Sequence, residues 1–299
     1  MVRQRPEIAD VEASSSVVAR IEKKPNEWMP LLLFVIKDFN TMRINTFKSE
    51  SGAWPPPNGT ILLEKEVLPL VGGKVGDTHK VQTPNGLAHS ITISGFVHDP
   101  GLAPAWQEQT AYGYITPSTL AMLGENNDLH LLKIIVRDQP FNKESIEKTA
   151  GTLATWLNQQ GYAVDNIRIP PPGKHPHQSQ MNSILLMLLI FSFLALILSG
   201  ILTSTLIGGL LAQQVRQIGI MKSLGARSWQ IASAYIIMII LMCIIAIILG
   251  LPSGIAAGRS FVQAVAQLLN LKVYNYSVPG WVFLVLLLSG IITPFLVSY

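Results

Sequence analysis

The fold of the chain is decided by residues 181–207, which read MNSILLMLLIFSFLALILSGILTSTLI and contain no charged side chain. A hydrocarbon core about 30 Å thick needs roughly 20 apolar residues in a helix, and this stretch is longer than that. Residues 231–257 and 278–299 are two further apolar stretches without charge. Buried helices of a large soluble protein are the alternative, which the length of these stretches disfavours. The sequence predicts three membrane spans.

The charge of the chain is distributed unevenly, because no Asp or Glu follows Asp165. The charged side chains from residue 181 onward are Arg216, Lys222, Arg227, Arg259 and Lys272. The formal net charge of +4 therefore comes from the apolar half, and the first half is close to neutral. A nucleic-acid binder concentrates basic charge on a soluble face, so we expect no nucleic-acid partner.

The first half, residues 1–172, has the pattern of an α+β domain. Two extended runs between Lys80 and Val97 flank Asn85-Gly86, a pair typical of a hairpin because both central residues of that turn need positive φ. The other predicted strands are Leu31–Ile36, Leu131–Val136 and Tyr162–Ile169.

Two helices are predicted in the same half from their capping residues. Thr116 and Pro117 open a helix over Ser118–Leu123, which Gly124 ends. A longer amphipathic helix over Asn142–Gln160 is closed by glycine at position 161. Three prolines at 170–172 then form a stiff connector to the first span.

The loop at residues 208–229 carries three basic residues and no acid, whereas residues 258–277 carry two basic residues. This difference places the loop in the cytoplasm and residues 1–172 outside. Within the loop, Val215, Ile218, Met221 and Leu224 recur at helical spacing and predict a short amphipathic helix. Periodicity leaves open whether this helix rests on the membrane or binds a partner protein.

The loop also carries a family resemblance. Residues 215–231, VRQIGIMKSLGARSWQI, resemble the signature loop of the FtsX-like permease family, the membrane subunits of ABC transporters of the MacB and LolC/LolE type. The matching positions are Arg216, Ile218, Gly219, Ile220, Lys222, Leu224, Gly225 and Ala226. Gln217 stands where the family commonly has an acid, so any polar contact of that acid is in doubt. Residues 52–77, followed by the hairpin and Gly95-Phe96-Val97, are similar to the periplasmic domain of MacB-like permeases.

The resemblance implies an α-helical transmembrane domain over residues 181–299, with a coupling loop at 208–229, and a MacB-like extracytoplasmic α+β domain over 1–172. It implies a multi-pass permease subunit of the bacterial inner membrane that couples ATP hydrolysis to movement of the outer domain, for export or extraction of a substrate. Implied partners are an ABC ATPase, a second permease copy or homologue, membrane lipid and a periplasmic adaptor. The implied ATPase-coupling residues are Arg216, Ile218, Gly219, Lys222, Leu224, Gly225 and Ala226. It further implies that the family's first span and the start of its periplasmic domain precede residue 1, and we expect sequence beyond residue 299.

Two other functions fit the same pattern. An FtsX-type scaffold would regulate a cell-wall hydrolase, although such scaffolds resemble this chain with smaller outer domains. A membrane-anchored sensor would need a signalling domain after Tyr299.

The sequence gives little indication of an enzyme active site or a metal site. The phosphate-binding pattern GxxxxGK[ST] is absent. Gly72-Gly73-Lys74 has neither the first glycine of this pattern at the right distance nor the Ser or Thr that follows the lysine. We therefore expect the ATPase to be a separate subunit or domain. His175-Pro176-His177 offers no third metal ligand, and the single Cys243 allows no disulfide. The serines at 14–16 have no partner base at motif spacing. We expect no metal, cofactor or catalytic residue.

Overall fold

The computed structural model describes residues 1–174 and 178–297, with side chains described as far as residue 292. These residues divide into two compact units. The first, the sheet unit, comprises Met1–Gln178 together with Gln267–Lys272, and the second, the helical unit, holds the other described residues. The division therefore places a short segment near the C-terminus with the N-terminal half, which the sequence did not predict.

Eight strands form the sheet unit. They are β1 (Ile8–Lys24), β2 (Glu27–Ile36), β3 (Lys48–Gly52), β4 (Thr60–Glu64), β5 (Thr78–Gln82), β6 (Ala88–His98), β7 (Ala111–Ile115) and β8 (Leu131–Val136). Their order is β2-β7-β4-β6-β5-β1-β8, with β3 paired to β6. Because β1 also pairs with β2, six of the strands close into a ring. The β2–β7 and β4–β6 pairs are parallel and the others are antiparallel.

The helices of the sheet unit are short except for the last. They are α1 (Leu68–Val71), α2 (Ala105–Glu108), α3 (Pro117–Met122) and α4 (Lys143–Gln159), with 3-10 turns at Val2–Gln4 and Lys65–Val67. The Thr116 hydroxyl caps α3 by accepting a hydrogen bond from the Thr119 amide, and Asn142 caps α4 in the same manner. Both predicted helices are confirmed.

The apolar residues of the ring strands build the main core, which includes Ile21, Leu31, Leu33 and Ile61 at 0% exposure. Strands β4 and β7 are buried along almost their whole length. A second, aromatic cluster surrounds Tyr114 of β7. The Tyr114 ring lies 4.2 Å from the Phe47 ring and stacks on Phe34 at 5.2 Å between centroids. Phe39 and Trp54 extend this cluster through edge-on contacts. The two clusters hold the strand ends near β4, β6 and β7 in place.

The predicted hairpin is confirmed, since β5 and β6 pair from Thr78↔Thr92 to Gln82↔Ala88. Its connection, however, is longer than a two-residue turn, and only Gly86 of the Asn85-Gly86 pair has positive φ. The Asn85 side chain instead donates a 2.9 Å hydrogen bond to the Leu123 carbonyl oxygen. This contact fixes the loop from outside the hairpin, so a tight turn is not required.

The predicted strand Tyr162–Ile169 is wrong. These residues have no regular secondary structure and most are exposed. The Val164 amide donates to the Asn158 side chain at 2.9 Å rather than to a neighbouring strand. An apolar alternation forms a strand only where a sheet edge accepts it, and here none of the described strands does.

The helical unit contains α5 (Gln178–Ser223), α6 (Ser228–Leu268) and α7 (Gly280–Val297). Helices α5 and α6 are long and apolar enough to cross a membrane, in agreement with the first two predicted spans. The third predicted span falls on α7, whose described apolar part, Gly280–Ile292, is shorter. Its role as a span therefore stays a prediction.

Helix α5 continues without interruption from the first predicted span into the predicted loop. The expected short, separate amphipathic helix is thus the C-terminal end of α5. Glycines at 208 and 209 each cost a helix about 1 kcal/mol relative to alanine, but they retain the backbone N–H and do not break the hydrogen-bond ladder.

Candidate functional site

The predicted coupling residues lie together where α5 ends and α6 begins. The Gly225 amide donates to the Lys222 carbonyl oxygen and the Ala226 amide donates to the Met221 carbonyl oxygen, both at 3.0 Å. Gly225 has φ +92°, a conformation that glycine adopts without a steric penalty. This is a Schellman motif, which satisfies the last carbonyl groups of α5.

The start of α6 is fixed from the other side. The Arg227 amide donates to the Gln230 side-chain oxygen at 2.9 Å, and the Gln230 amide donates to the Arg227 carbonyl oxygen at the same distance. This is half of a capping box. The connection between the two helices is therefore only four residues long, Leu224–Arg227, and its shape is determined at both ends.

The side chains around this turn are largely unprotected. Leu224 is 82% exposed and Trp229 is 73% exposed. Arg216, Lys222 and Arg227 are also exposed, and no acid is present among the described residues of the helical unit to pair with them. Apolar and basic groups on one turn suit a partner groove that is apolar and rimmed by acids.

Gly219 and the half-buried Ile218 lie one turn before the end of α5. A Cβ added at Gly219 would meet no atom within 4 Å, so the described part of this chain gives no reason for a glycine there. Glycine inside a helix costs about 1 kcal/mol relative to alanine. A requirement for glycine at this position would come from something that approaches the helix from outside.

Two glutamines near the turn differ in their contacts. Gln214 accepts a 2.6 Å hydrogen bond from the Tyr235 hydroxyl, which joins α5 to α6. Gln217, at the position where the resembling family has an acid, is exposed and makes no side-chain hydrogen bond with the described residues. An acid at 217 would thus serve a partner rather than this chain.

A second polar site, which the sequence did not reveal, lies in the sheet unit around Glu64 at the end of β4. Its side chain is completely buried. Glu64 Oε2 accepts from the Glu66 amide at 2.7 Å, and Glu64 Oε1 accepts from Asn270 Nδ2 at 3.1 Å. His98 Nδ1, at the end of β6, lies 3.6 Å from Glu64 Oε1. Tyr114 closes the site from β7 by donating to Asp99 Oδ2 at 2.7 Å.

Burial decides the charge of this cluster. It raises the pKa of Glu64 to about 7, against the opposing hydrogen bonds from Asn270 and the Glu66 amide. Burial likewise lowers the pKa of His98 and raises that of Tyr114. Both shifts at the Glu64–His98 contact favour the neutral forms, so we assign a neutral carboxyl beside a neutral imidazole rather than an ion pair.

A carboxyl and an imidazole could exchange a proton, but the completely buried Glu64 is closed to a substrate. The cluster therefore has the chemistry of a structural or positioning site. Two sequence signals could have indicated it: an acid directly after the apolar run at 61–63, and an asparagine in the short segment that follows the second predicted span. Neither signal names its partner, because 206 positions separate Glu64 from Asn270.

The serine and histidine candidates that the sequence analysis rejected lie at the following places. Ser14 and Ser15 are buried in β1, which suits a core strand rather than a nucleophile. Residues 175–177, with both histidines of the weighed metal motif, lie outside the described residues. Within residues 1–174 and 178–297, no group of three or more His, Cys, Asp or Glu side chains is placed to hold a metal ion.

Comparison with known proteins identifies the C-terminal part of the chain. Residues 189–299 match the family model described as FtsX-like permease C-terminal, which confirms the resemblance predicted from the loop. The chain is also similar to the extracellular domain of the noncanonic ABC-type transporter YknZ from Gram-positive bacteria (14% identity, TM-score 0.38, 54% of this chain and 80% of that one). A further similarity is to the periplasmic region of MacB from Actinobacillus actinomycetemcomitans (14% identity, TM-score 0.35, 54% of this chain and 72% of that one). With TM-scores below 0.5, the last two similarities carry no conclusion about this chain.

Proposed function

We propose, from the match of residues 189–299 to the FtsX-like permease C-terminal family, that this chain is the permease subunit of an ABC transporter. It couples ATP hydrolysis on a separate ATPase to movement of the sheet unit outside the membrane. The family match carries the proposal, and the exposed, basic turn at Leu224–Arg227 supports it. The chain is a multi-pass protein of the bacterial inner membrane and works as a dimer with a second permease copy or homologue.

The turn contacts the ATPase in this mechanism. Leu224 enters an apolar groove, where a fully exposed leucine gains about 1.5–3 kcal/mol on burial. Arg216 and Lys222 orient the helix end against acidic side chains at the rim of the groove. The Schellman motif holds Gly225 and Ala226 rigidly, so motion of the ATPase is passed to both helices instead of being absorbed by a flexible loop.

The contact with the ATPase is tested by Leu224→Asp. The side chain is exposed, so the change leaves the fold intact but puts a charge into the proposed groove. We expect the co-purifying ATPase and the stimulated ATP hydrolysis to fall by at least about ten-fold, since the lost burial of the leucine alone exceeds about 1.4 kcal/mol. Leu87→Asp in the loop of the hairpin is the matched control, because Leu87 is also exposed and lies in the sheet unit. Unchanged ATPase binding by Leu224→Asp contradicts the proposed contact.

The orientation is tested by labelling with a membrane-impermeant maleimide in a Cys243→Ser background. Ser90→Cys on β6 is expected to react in intact cells, and Lys222→Cys only after the cells are permeabilised, since the positive-inside rule places the basic turn in the cytoplasm. Denatured samples of both variants control for the intrinsic reactivity of each thiol. The reverse pattern would place the sheet unit inside the cell.

A further inference from the structure

The segment Gln267–Lys272 directly follows most of α6 in the chain, yet it is part of the sheet unit. Its residues Leu269 and Asn270 are buried, at 4% and 3% exposure. Asn270 has φ +52°, the left-handed conformation that asparagine tolerates better than most residues, and it ends the helix. This backbone conformation turns the chain out of α6 at the point where the Asn270 side chain enters the sheet unit.

The Asn270 amide group acts there as a donor. Nδ2 lies 3.1 Å from Glu64 Oε1, 3.2 Å from the Asp99 carbonyl oxygen and 3.5 Å from the Leu102 carbonyl oxygen. A buried acceptor that is left without a donor destabilises the protein, so the loss of the Asn270 donor opposes detachment of the segment. At the surface, Lys272 Nζ also lies 3.4 Å from Glu50 Oε1, an exposed ion pair of small value. The attachment therefore depends on the pair formed by Asn270 and Glu64.

The charge of Glu64 controls how tightly this pair is held. The titratable and charged groups around it are Lys65 and Glu66 in its own turn, His98 and Asp99 at the end of β6, Tyr112 and Tyr114 of β7, Glu108 of α2, Glu50 of β3 and Lys272 of the segment. Lys65 is paired with Glu66 at 3.9 Å, and no lysine or arginine among the described residues lies within ion-pair distance of Glu64. His98 Nδ1 has no hydrogen-bond partner among the described residues, and its distance of 3.6 Å from Glu64 Oε1 is too long for a hydrogen bond.

We propose that Asn270 is a positioning residue that fastens the connection between α6 and α7 to β4 of the sheet unit while Glu64 is protonated, and that ionisation of Glu64 releases it. The inference rests on the proposed function for its purpose, since the attachment passes movement of α6 to the sheet unit. Its physical basis is independent of the ATPase. A buried carboxylate is costly, and in the proposed released state the Asn270 segment has moved away so that water can hydrate the ionised Glu64.

The direction of the pH effect follows from proton binding. Burial holds the pKa of Glu64 at about 7 in the attached state, and a hydrated carboxyl has its ordinary value of 4.5. Between these two values the attached form holds a proton that the released form has lost, so rising pH favours release. From pH 5.5 to pH 8.5 the equilibrium constant for release rises roughly 30-fold, and the change levels off above about pH 7.

Hydrogen exchange of the full chain in lipid nanodiscs, without an ATPase, tests the proposal. We expect the protection of the amides at 269–272, corrected for the intrinsic effect of pH, to be roughly 30-fold lower at pH 8.5 than at pH 5.5. Glu64→Gln keeps an acceptor for Asn270 but cannot ionise, so its protection is expected to be the same at both pH values. The side-chain amide that replaces the carboxyl has one acceptor oxygen, so it cannot accept from both Asn270 and the backbone amide of Glu66. We therefore expect the protection in Glu64→Gln, although independent of pH, to be lower than that of the unmodified protein at pH 5.5.

Asn270→Ala removes the donor but also strains the backbone at φ +52°, so Asn270→Gly, which removes the donor without that strain, is made beside it. Both variants are expected to abolish the protection of this segment at both pH values. Asn275→Ala, in the same connection but exposed, is the matched control and is expected to behave like the unmodified protein. The proposal is overturned if the protection of 269–272 does not change with pH, or if Asn270→Ala keeps full protection. Either result would leave the ATPase contact at Leu224 unaffected, so the two proposals fail separately.

Discussion

Gly219→Trp is expected to abolish both co-purification of the ATPase and transport-linked ATP hydrolysis while leaving insertion into the membrane unchanged. The indole would stand on the exposed side of α5 one turn before Leu224, where the described part of the chain leaves open space. The substitution therefore costs this chain little, and tryptophan in place of glycine improves the helix propensity. A partner that packs closely against the Gly219 backbone would be displaced by the full volume of the ring. We expect a loss well beyond ten-fold, which corresponds to more than about 1.4 kcal/mol.

Three variants sharpen this experiment. Gly219→Ala introduces a single methyl group and is expected to retain most of the activity. Gly209→Trp puts the same ring in open space on the same helix, away from the turn, and is expected to retain ATPase binding. Gln217→Glu restores the acid common in the resembling family and is expected to be tolerated. Full ATPase binding and hydrolysis by Gly219→Trp would show that the helix end is not buried against a partner, and a helix that rests on lipid would then explain the loop better.

Tyr114→Ala is expected to lower the free energy of unfolding of the sheet unit by about 3–5 kcal/mol, the range for removing a buried aromatic side chain. Tyr114 is 2% exposed, its ring contacts Phe34 and Phe47, and its hydroxyl donates to Asp99. Single domains are stable by only about 5–15 kcal/mol, so this loss is a large part of the total. The midpoint of urea unfolding, followed by protease protection of residues 27–115, measures it.

Tyr114→Phe separates the ring from the hydroxyl in the same measurement. It keeps the aromatic contacts and removes one hydrogen bond, which costs about 0.5–1.5 kcal/mol. Equal midpoints for Tyr114→Ala and the unmodified protein would contradict the assignment of the aromatic cluster as a core. The Asp99 carbonyl oxygen accepts from Asn270, so we further expect Tyr114→Ala to weaken the attachment of that segment.

The sequence predicts local features of this protein better than contacts between distant residues. The caps at Thr116 and Asn142 use the amides two or three positions later, so their signals are complete within one turn. The hairpin at 85–86 was predicted at the right place, but its loop is held by Leu123, which local turn rules cannot include. The strand predicted at 162–169 failed because alternation says nothing about whether a sheet edge is available.

The candidate sites likewise include residues that the sequence predicted and residues that it did not. Gly225 and Ala226 directly follow the amphipathic pattern that predicted a helix in the loop, and the Schellman motif uses them to end that helix. The length of that helix was not predicted. Charge and periodicity indicate where the chain leaves an apolar environment, but they do not show that the backbone hydrogen bonds of the helix continue past that point. Glu64 and Asn270 were missed altogether, since neither residue carries a local pattern that points to the other.

Helix α6 begins just after the Leu224–Arg227 turn and ends just before Asn270, and its 41 residues extend about 60 Å. Mechanically, a long helix bends readily where a residue cannot donate its backbone hydrogen bond, and such a residue forms a joint within the helix. That joint is Pro252, which has no backbone N–H to donate to the preceding turn. The Ser253 hydroxyl donates to the Leu249 carbonyl oxygen at 2.7 Å, a contact that favours a bend in the same turn. We expect α6 to bend at this position more readily than a helix with an unbroken hydrogen-bond ladder would.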